Sequence, residues 1–386
     1  MTLDFRVPKT TPDKPWLRRP TARADLRVPA VVALVGPNGS GKSSLLRVLA
    51  DTIRFAAHSY GDRPGSIAGF SAFASEEALA KPTRIQVEFD GPWLVSRPEE
   101  PNRVYRYTVE LARRAPDFSP DAVAYEALHD FPHGRSRRLI ERRSDRPIHV
   151  AKDMSIRSSD DRLASVPANA SVLSTLARMG IDRFSTIVEG LIQVQMNVTA
   201  IDPIRLDDQT VIRYYRDNRA ARERMSDMLG RFDLGIECMD VRQSMEGTWG
   251  LVFSHSGLTM NIPLLGESAG TRHVVQIFPS LNYALETGGL ALMDALDNDL
   301  HADLVDEILG WFRREDTNPH SAQLICSLHS LSALDSLEKE EVFIVDKDRQ
   351  GFTQAYGVRD IQGVRRSSDL RKLYRSGALG GLPSFG

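Results

Sequence analysis

The chain has 386 residues, of which 41% are hydrophobic and 26% charged, and its 49 Lys and Arg against 51 Asp and Glu leave a formal net charge of −2. That composition allows a large core and two or three domains, and it lacks the global basic excess of a nucleic-acid-binding chain. Charges and prolines fill the first twenty residues where a signal peptide needs an apolar core, and no later apolar run approaches the roughly 18 residues of a membrane span, so a cytoplasmic protein with no membrane partner is expected.

In chain order, residues 3–7 form a possible short strand, followed by a polar, proline-rich connection to residue 28. Val31–Val35, apolar and rich in β-branched residues, has the composition of a buried parallel strand. Beyond a glycine-rich loop, Leu45, Leu46, Val48, Leu49 and Ile53 recur on one helical face, and residues 58–83 read as loop. Residues 84–150 alternate in strand fashion: Arg84–Phe89, a turn at Asp90-Gly91, then Trp93–Val95 and Val104–Leu111, together an antiparallel β-lobe. Within it lie Arg135, Arg137, Arg138, Arg142, Arg143 and Arg146, read as a charge-protected strand edge in preference to a phosphate-backbone contact because no aromatic stacking partners are interleaved.

Residues 168–232 change to helical spacing and predict an inserted helical lobe. Its segments are one capped by Ser171 and stopped by Gly180, one from Phe184 to Val198, and one from Val211 to Leu229. Strands return at 235–242 and 249–253. A helix opened by Ser268 then buries Val274, Val275, Ile277, Phe278 and Leu281 and ends at Gly288-Gly289. The strand Leu290–Asp294, a helix over Asp303–Arg314, the strand Gln323–Leu328 ending at His329, and the strand Val342–Val345 complete an α/β unit with a mostly parallel sheet. Residues 1–57 and 235–386 supply the two halves of its core. Cys238 and Cys326, lacking metal or disulfide spacing, are expected as buried small hydrophobes.

Gly36-Pro37-Asn38-Gly39-Ser40-Gly41-Lys42-Ser43 matches the phosphate-loop pattern at every fixed position, with a strand before it and a helix after it. Glycines 36, 39 and 41 let backbone N–H groups turn towards a phosphate chain, and the following helix aims its positive end at the same anion. Lys42 would reach the β- and γ-phosphates, the Ser43 hydroxyl would ligate Mg²⁺, and Ser44 completes the nucleotide-binding set. Leu290–Asp294 has the Walker B form, an apolar strand ending in a carboxylate that holds Mg²⁺ through water.

The phosphate loop, the Ser-x-Gly-opened helix, Asp294 and His329 follow in an order that resembles the ATP-binding-cassette class of ATPases, within it the soluble SMC-like and OLD-like heads. GESAGTR at 266–272, DALDNDLH at 294–301, AQLICSLH at 322–329, EEVFIVDKDRQG at 340–351 and LRKLYRSGALGGLP at 370–383 look like the AAA-type ATP-binding proteins of bacterial anti-phage abortive-infection and restriction-linked operons. The resemblance covers roughly residues 31–383. It implies ATP and Mg²⁺ as cofactors, a homodimer in which Ser268 and Gly270 reach the γ-phosphate held by a second copy, and an effector protein from the same operon as partner.

It further implies that His329 is the switch histidine and that His301 packs at the dimer seam, with Gln86 a weak candidate for the class's conserved glutamine. One departure stands out: the family has a water-activating glutamate after the Walker B aspartate, and this chain has Ala295. An alanine methyl neither accepts a proton nor holds a water, so ATP binding survives and hydrolysis is impaired, whether the alanine is an introduced substitution or natural. Asp297, by the family pattern, points elsewhere. The alternative reading is an SMC-like DNA-repair or DNA-end-binding ATPase that contacts nucleic acid through the arginine run.

Overall fold

The computed structural model describes residues 1–19, 26–91, 103–113, 119–199, 206–232 and 235–382. Its centre is the strand Val31–Val35, buried at all five positions. This strand is third in a six-stranded sheet ordered Thr353–Gly357, Val342–Lys347, Val31–Val35, Gln323–Ser327, Leu290–Met293, Gln195–Met196. Every pairing is parallel except that of Thr353–Gly357 with Val342–Lys347.

Both faces of the sheet are covered, which is why its strands read as unbroken apolar runs. Val31, Ala33 and Val35 point into one core and Val32 and Leu34 into the other. The second core is closed by the helices Lys42–His58, Val172–Arg178 and Asp182–Ile192, together with a five-stranded antiparallel meander: Thr83–Gly91, Arg103–Ala112, Ala122–Asp130, Arg137–Arg143 and Arg146–Val150. The first is closed by the helices Asp208–Asp217, Arg219–Phe232, Ala269–Thr287 and Ala302–Arg313, and by a small antiparallel sheet of Ile236–Gln243, Trp249–His255 and Ile262–Pro263. Among the described residues no helix is long and apolar enough to cross a membrane.

Several local expectations are corrected. The 168–232 segment does not pack as one lobe: its first two helices lie on one face of the main sheet and its last two on the other. Between them the chain forms an edge of the sheet, so the stretch expected as a helix to Val198 stops at Ile192 and continues as Gln195–Met196, paired with Ala291 and Leu292. The stretch Val211–Leu229 is two helices broken at Asn218, whose side chain accepts from Ala221 N at 3.0 Å and so caps the second.

Asp90 and Gly91 remain in their strand, opposite Val104 and Arg103; Trp93–Val95 lies outside the described residues. Residues 3–7 form no strand; Phe5 instead packs edge-on against Phe343 at 5.1 Å, and Leu17–Arg18 pairs with Val28–Pro29. Val48 is exposed because the buried stripe of its helix runs Leu46, Ala50, Ile53, Ala57. Cys326 is buried and free, whereas Cys238 is free but exposed.

Candidate nucleotide site

The phosphate loop is shaped by close approaches that only glycine permits. A Cβ on Gly36 would lie 2.0 Å from Val345 O, and one on Gly41 would lie 2.3 Å from Thr353 Oγ1. Gly39 and Gly41 also have φ of +77° and +107°, in the left-handed region. Thr353 Oγ1 donates to Ser40 O at 3.0 Å and so fixes the loop to the antiparallel end of the sheet. Lys42, the first helical residue, is buried, and its Nζ donates to Gly36 O at 2.8 Å and Pro37 O at 3.1 Å. Desolvation lowers its pKa, while the carboxylates of Asp294 and Asp297 oppose that shift. Asn38, Gly39, Ser43 and Ser44 are exposed, with Gly36 and Pro37 half-buried; the Ser40 hydroxyl is buried without a hydrogen-bond partner among the described residues.

Register brings the carboxylate to the same edge. Met293 pairs with Cys326 and Cys326 with Ala33, so Asp294, Ser327 and Leu34 stand at one level beneath the loop. Three contacts set Asp294. Asn197 Oδ1 accepts from Asp294 N at 2.7 Å, Asn197 Nδ2 donates to Asp294 O at 3.1 Å, and the Ser327 hydroxyl donates to Asp294 Oδ1. The second carboxylate oxygen stays open for a hydrated cation, and the exposed Ser43 hydroxyl stands at the start of the phosphate-loop helix, so the oxygen donors present suit Mg²⁺. Ala295, in the left-handed region at φ +49°, donates its N–H to Ser327 Oγ at 2.7 Å.

His329 is exposed at this edge, and its N–H donates to the Asp297 carboxylate at 2.8 and 3.0 Å; Ser330 N donates to the same group. Asp297 is thereby occupied with shaping the His329 loop.

The second cluster is a helix start. Ser268 caps the helix Ala269–Thr287, accepting from Thr271 N at 3.0 Å. A Cβ on Gly270 would lie 2.5 Å from Asp299 O, so the helix start and the loop after Asp294 touch through backbone. Glu267, buried, meets His255 Nε2 at 2.8 Å, and Arg272 donates to Glu267 O at 2.8 Å. Among the described residues no hydrogen bond joins Ser268 or Gly270 to this chain's own phosphate loop.

Two further residues singled out in the sequence, His301 and Gln86, take no part in these contacts. The His301 side chain is 78% exposed and caps the helix Ala302–Arg313, its Nδ1 accepting from Asp303 N at 3.4 Å. Gln86 is on the solvent face of the five-stranded meander, accepting from Thr108 Oγ1 at 3.4 Å. The strand that does flank Asp294, Gln195–Met196, is followed by Asn197, a residue with no motif around it. The arginine run is largely neutralised: Arg137 pairs with Asp130 and Asp153, Arg138 and Arg143 with Glu141, Arg146 with Asp145, and buried Arg142 donates to Pro167 O and Ala170 O.

A family profile described as "AAA domain, putative AbiEii toxin, Type IV TA system" matches residues 31–335. The chain belongs to this AAA family. The match begins at the first residue of the phosphate-loop strand and takes in Lys42, Ser268, Asp294 and His329, and the AAA protein has a P-loop ATPase fold with a mostly parallel sheet.

Solved structures similar to this AAA chain include an SMC head bound to the C-terminal winged-helix domain of ScpA, at 12% identity and TM-score 0.45, covering 86% of this chain and 93% of that chain. Another is an SMC head domain with an extended coiled coil bound to the C-terminal domain of ScpA, derived from Pyrococcus furiosus, at 12% identity and TM-score 0.34, covering 86% and 91%. A chain from work on ATP-driven dimerization and DNA-stimulated activation of SMC ATPases matches at 11% identity and TM-score 0.30, covering 43% and 96%. A search of curated proteins gives no significant match.

Proposed function

We propose that this AAA protein binds ATP with Mg²⁺ at Gly36–Ser44 and Asp294, and that the bound nucleotide joins two copies into a switch controlling a partner effector of a bacterial anti-phage system. One observation carries the reading. The parallel register sets the buried Lys42, the exposed Ser43 and the thrice-anchored Asp294 at the carboxyl edge of one sheet, beneath a loop in which Gly36 and Gly41 leave no room for a side chain. The loop N–H groups and Lys42 hold the phosphates, and Ser43 and Asp294 hold the metal. Mg²⁺, when bound, neutralises phosphate charge.

Ser268 and Gly270 open a 19-residue helix with N–H donors suited to an anion, and none of these is used on the chain's own loop, which supports their use on the nucleotide of a second copy. Ala295 removes the side chain that would position water, and both oxygens of Asp297 already accept backbone N–H groups, so this chain holds ATP and turns it over slowly. The coupling is thermodynamic: ATP touched by both copies stabilises the closed pair, and an effector that prefers one state is governed by it. The tie to toxin–antitoxin systems rests on the family description, and the tie to phage defence on the sequence resemblance alone.

Mass photometry of the parent and Lys42→Ala, with and without ATP and Mg²⁺, tests the switch. A nucleotide-dependent dimer in the parent and its loss in the variant are expected; an unchanged mass distribution in the parent, or a Lys42→Ala protein that assembles and binds ATP as the parent does, sinks the proposal.

A further inference from the structure

We propose that Phe73 and Phe352 form the base-binding element of this site, the surface on which the purine ring of the bound nucleotide stacks. This rests on the phosphate-loop reading above and adds where the nucleoside lies. The sheet order gives the direction. On one side of Val31–Val35 come Gln323–Ser327 and then Leu290–Met293, which leads into Asp294; on the other come Val342–Lys347 and Thr353–Gly357. The register of Leu290–Met293 and Gln323–Ser327 against Val31–Val35 brings Asp294 to the loop from the first side, so the terminal phosphates lie towards the Asp294 side. The nucleoside end of the chain then leaves on the opposite side, where the turn 348–352 joins the last two strands.

That turn is part of the loop's own support. Thr353 Oγ1 bonds Ser40 O and fills the space that a Gly41 side chain would need. The next residue back is Phe352, whose ring centroid is 4.6 Å from that of Phe73 with the planes inclined at 36°. The turn is rigidly built: Asp348 Oδ1 accepts from Gln350 N and Phe352 N, both at 2.9 Å, and Asp348 N donates to Phe352 O at 3.0 Å. Neither ring belongs to either hydrophobic core, and Phe73 is 45% exposed. An aromatic pair anchored through Phe352 to a fixed turn, one residue from the Thr353 that touches the phosphate loop, and spared from core packing, offers a π-face to a flat heterocycle.

The test titrates ATP and, separately, inorganic tripolyphosphate, each with Mg²⁺, into the parent, Phe352→Ala, Phe352→Tyr and Phe73→Ala by calorimetry. Phe352→Ala is expected to weaken ATP about tenfold, within the roughly 5- to 150-fold that base stacking spans, while tripolyphosphate binding stays at the parent value. Phe352→Tyr, which keeps the ring, should bind ATP as the parent does. Unchanged ATP affinity in both alanine variants overturns the base-stacking role and leaves the phosphate-loop reading standing. Equal losses for ATP and tripolyphosphate overturn it too, because the turn would then act on the loop and not on the base. A parent that binds neither ligand removes the phosphate-loop reading itself, and this proposal with it.

Discussion

Asn197 grips Asp294 by both of its backbone groups, accepting from its N–H at 2.7 Å and donating to its carbonyl at 3.1 Å. The pair bridges the sheet edge to the Walker B strand, and Arg54 of the phosphate-loop helix reaches the neighbouring Val198 carbonyl. Replacing Asn197 by Ala leaves two buried backbone groups without partners, a loss of about 1–3 kcal/mol. Asn197→Asp sets an acceptor against the Asp294 carbonyl and should do worse. Thermal unfolding checks the stability. ATP titrations with Mg²⁺ and with EDTA check the placement of Asp294: the Mg²⁺-dependent gain in affinity should shrink in both variants.

Gly41→Ala meets two obstacles at once, the φ of +107° and the Thr353 hydroxyl 2.3 Å from the new methyl. Strain of this kind costs roughly 1–3 kcal/mol. Trimming the obstructing side chain in Gly41→Ala/Thr353→Ala should restore only part of the loss, because the backbone angle stays unfavourable. Nucleotide titration of the single and double variants gives the comparison; full recovery in the double variant would show that sterics alone set the loop.

Ala295→Glu places a carboxylate beside Asp294. The backbone there is already left-handed and held by Ser327 Oγ, so the substitution asks for no new loop shape. Phosphate release is expected to rise by about 10²–10⁴-fold, the usual worth of a positioned base. A variant that binds ATP but gains no turnover would mean that the alanine belongs to a site built only to hold.

Glu341, fully buried at the amino end of the strand Val342–Lys347, is pushed up to about 7 by desolvation. Arg313 Nε lies 3.1 Å from Glu341 Oε1 without hydrogen-bonding geometry, so compensation is incomplete. The native state therefore holds this proton more tightly than the unfolded chain, whose ordinary value is 4.5. Stability from this group is greatest below pH 4.5, declines as pH rises to about 7, and is level above. Glu341→Gln should flatten that part of the profile in urea melts taken across the range; an unaltered slope would assign it to other groups.

The phosphate loop was legible because its chemistry is local: eight consecutive residues between a strand and a helix fix the turn, whatever surrounds them. Asp294 and His329 were legible as ends of apolar strands. Asn197 was not, since two strand residues following a helix carry no periodic signal and their pairing with Ala291 and Leu292 is set by distant chain. The same non-local pairing explains Asp90-Gly91, a turn signal absorbed into a strand by Arg103 and Val104 across the ladder. Phe73 and Phe352 each look like an ordinary loop aromatic until the fold sets them 4.6 Å apart.

The position of Val31–Val35 within its sheet bears on biosynthesis. Its two neighbours are Gln323–Ser327 and Val342–Lys347, and its loop is buttressed by Thr353. A chain growing on the ribosome therefore makes its phosphate loop long before the strands and the threonine that hold it in shape, Ser40 and Thr353 being 313 residues apart. Such closure across long sequence separations is intrinsically slow to fold, and it leaves the nascent phosphate loop without its buttress until the chain through Thr353 has been made.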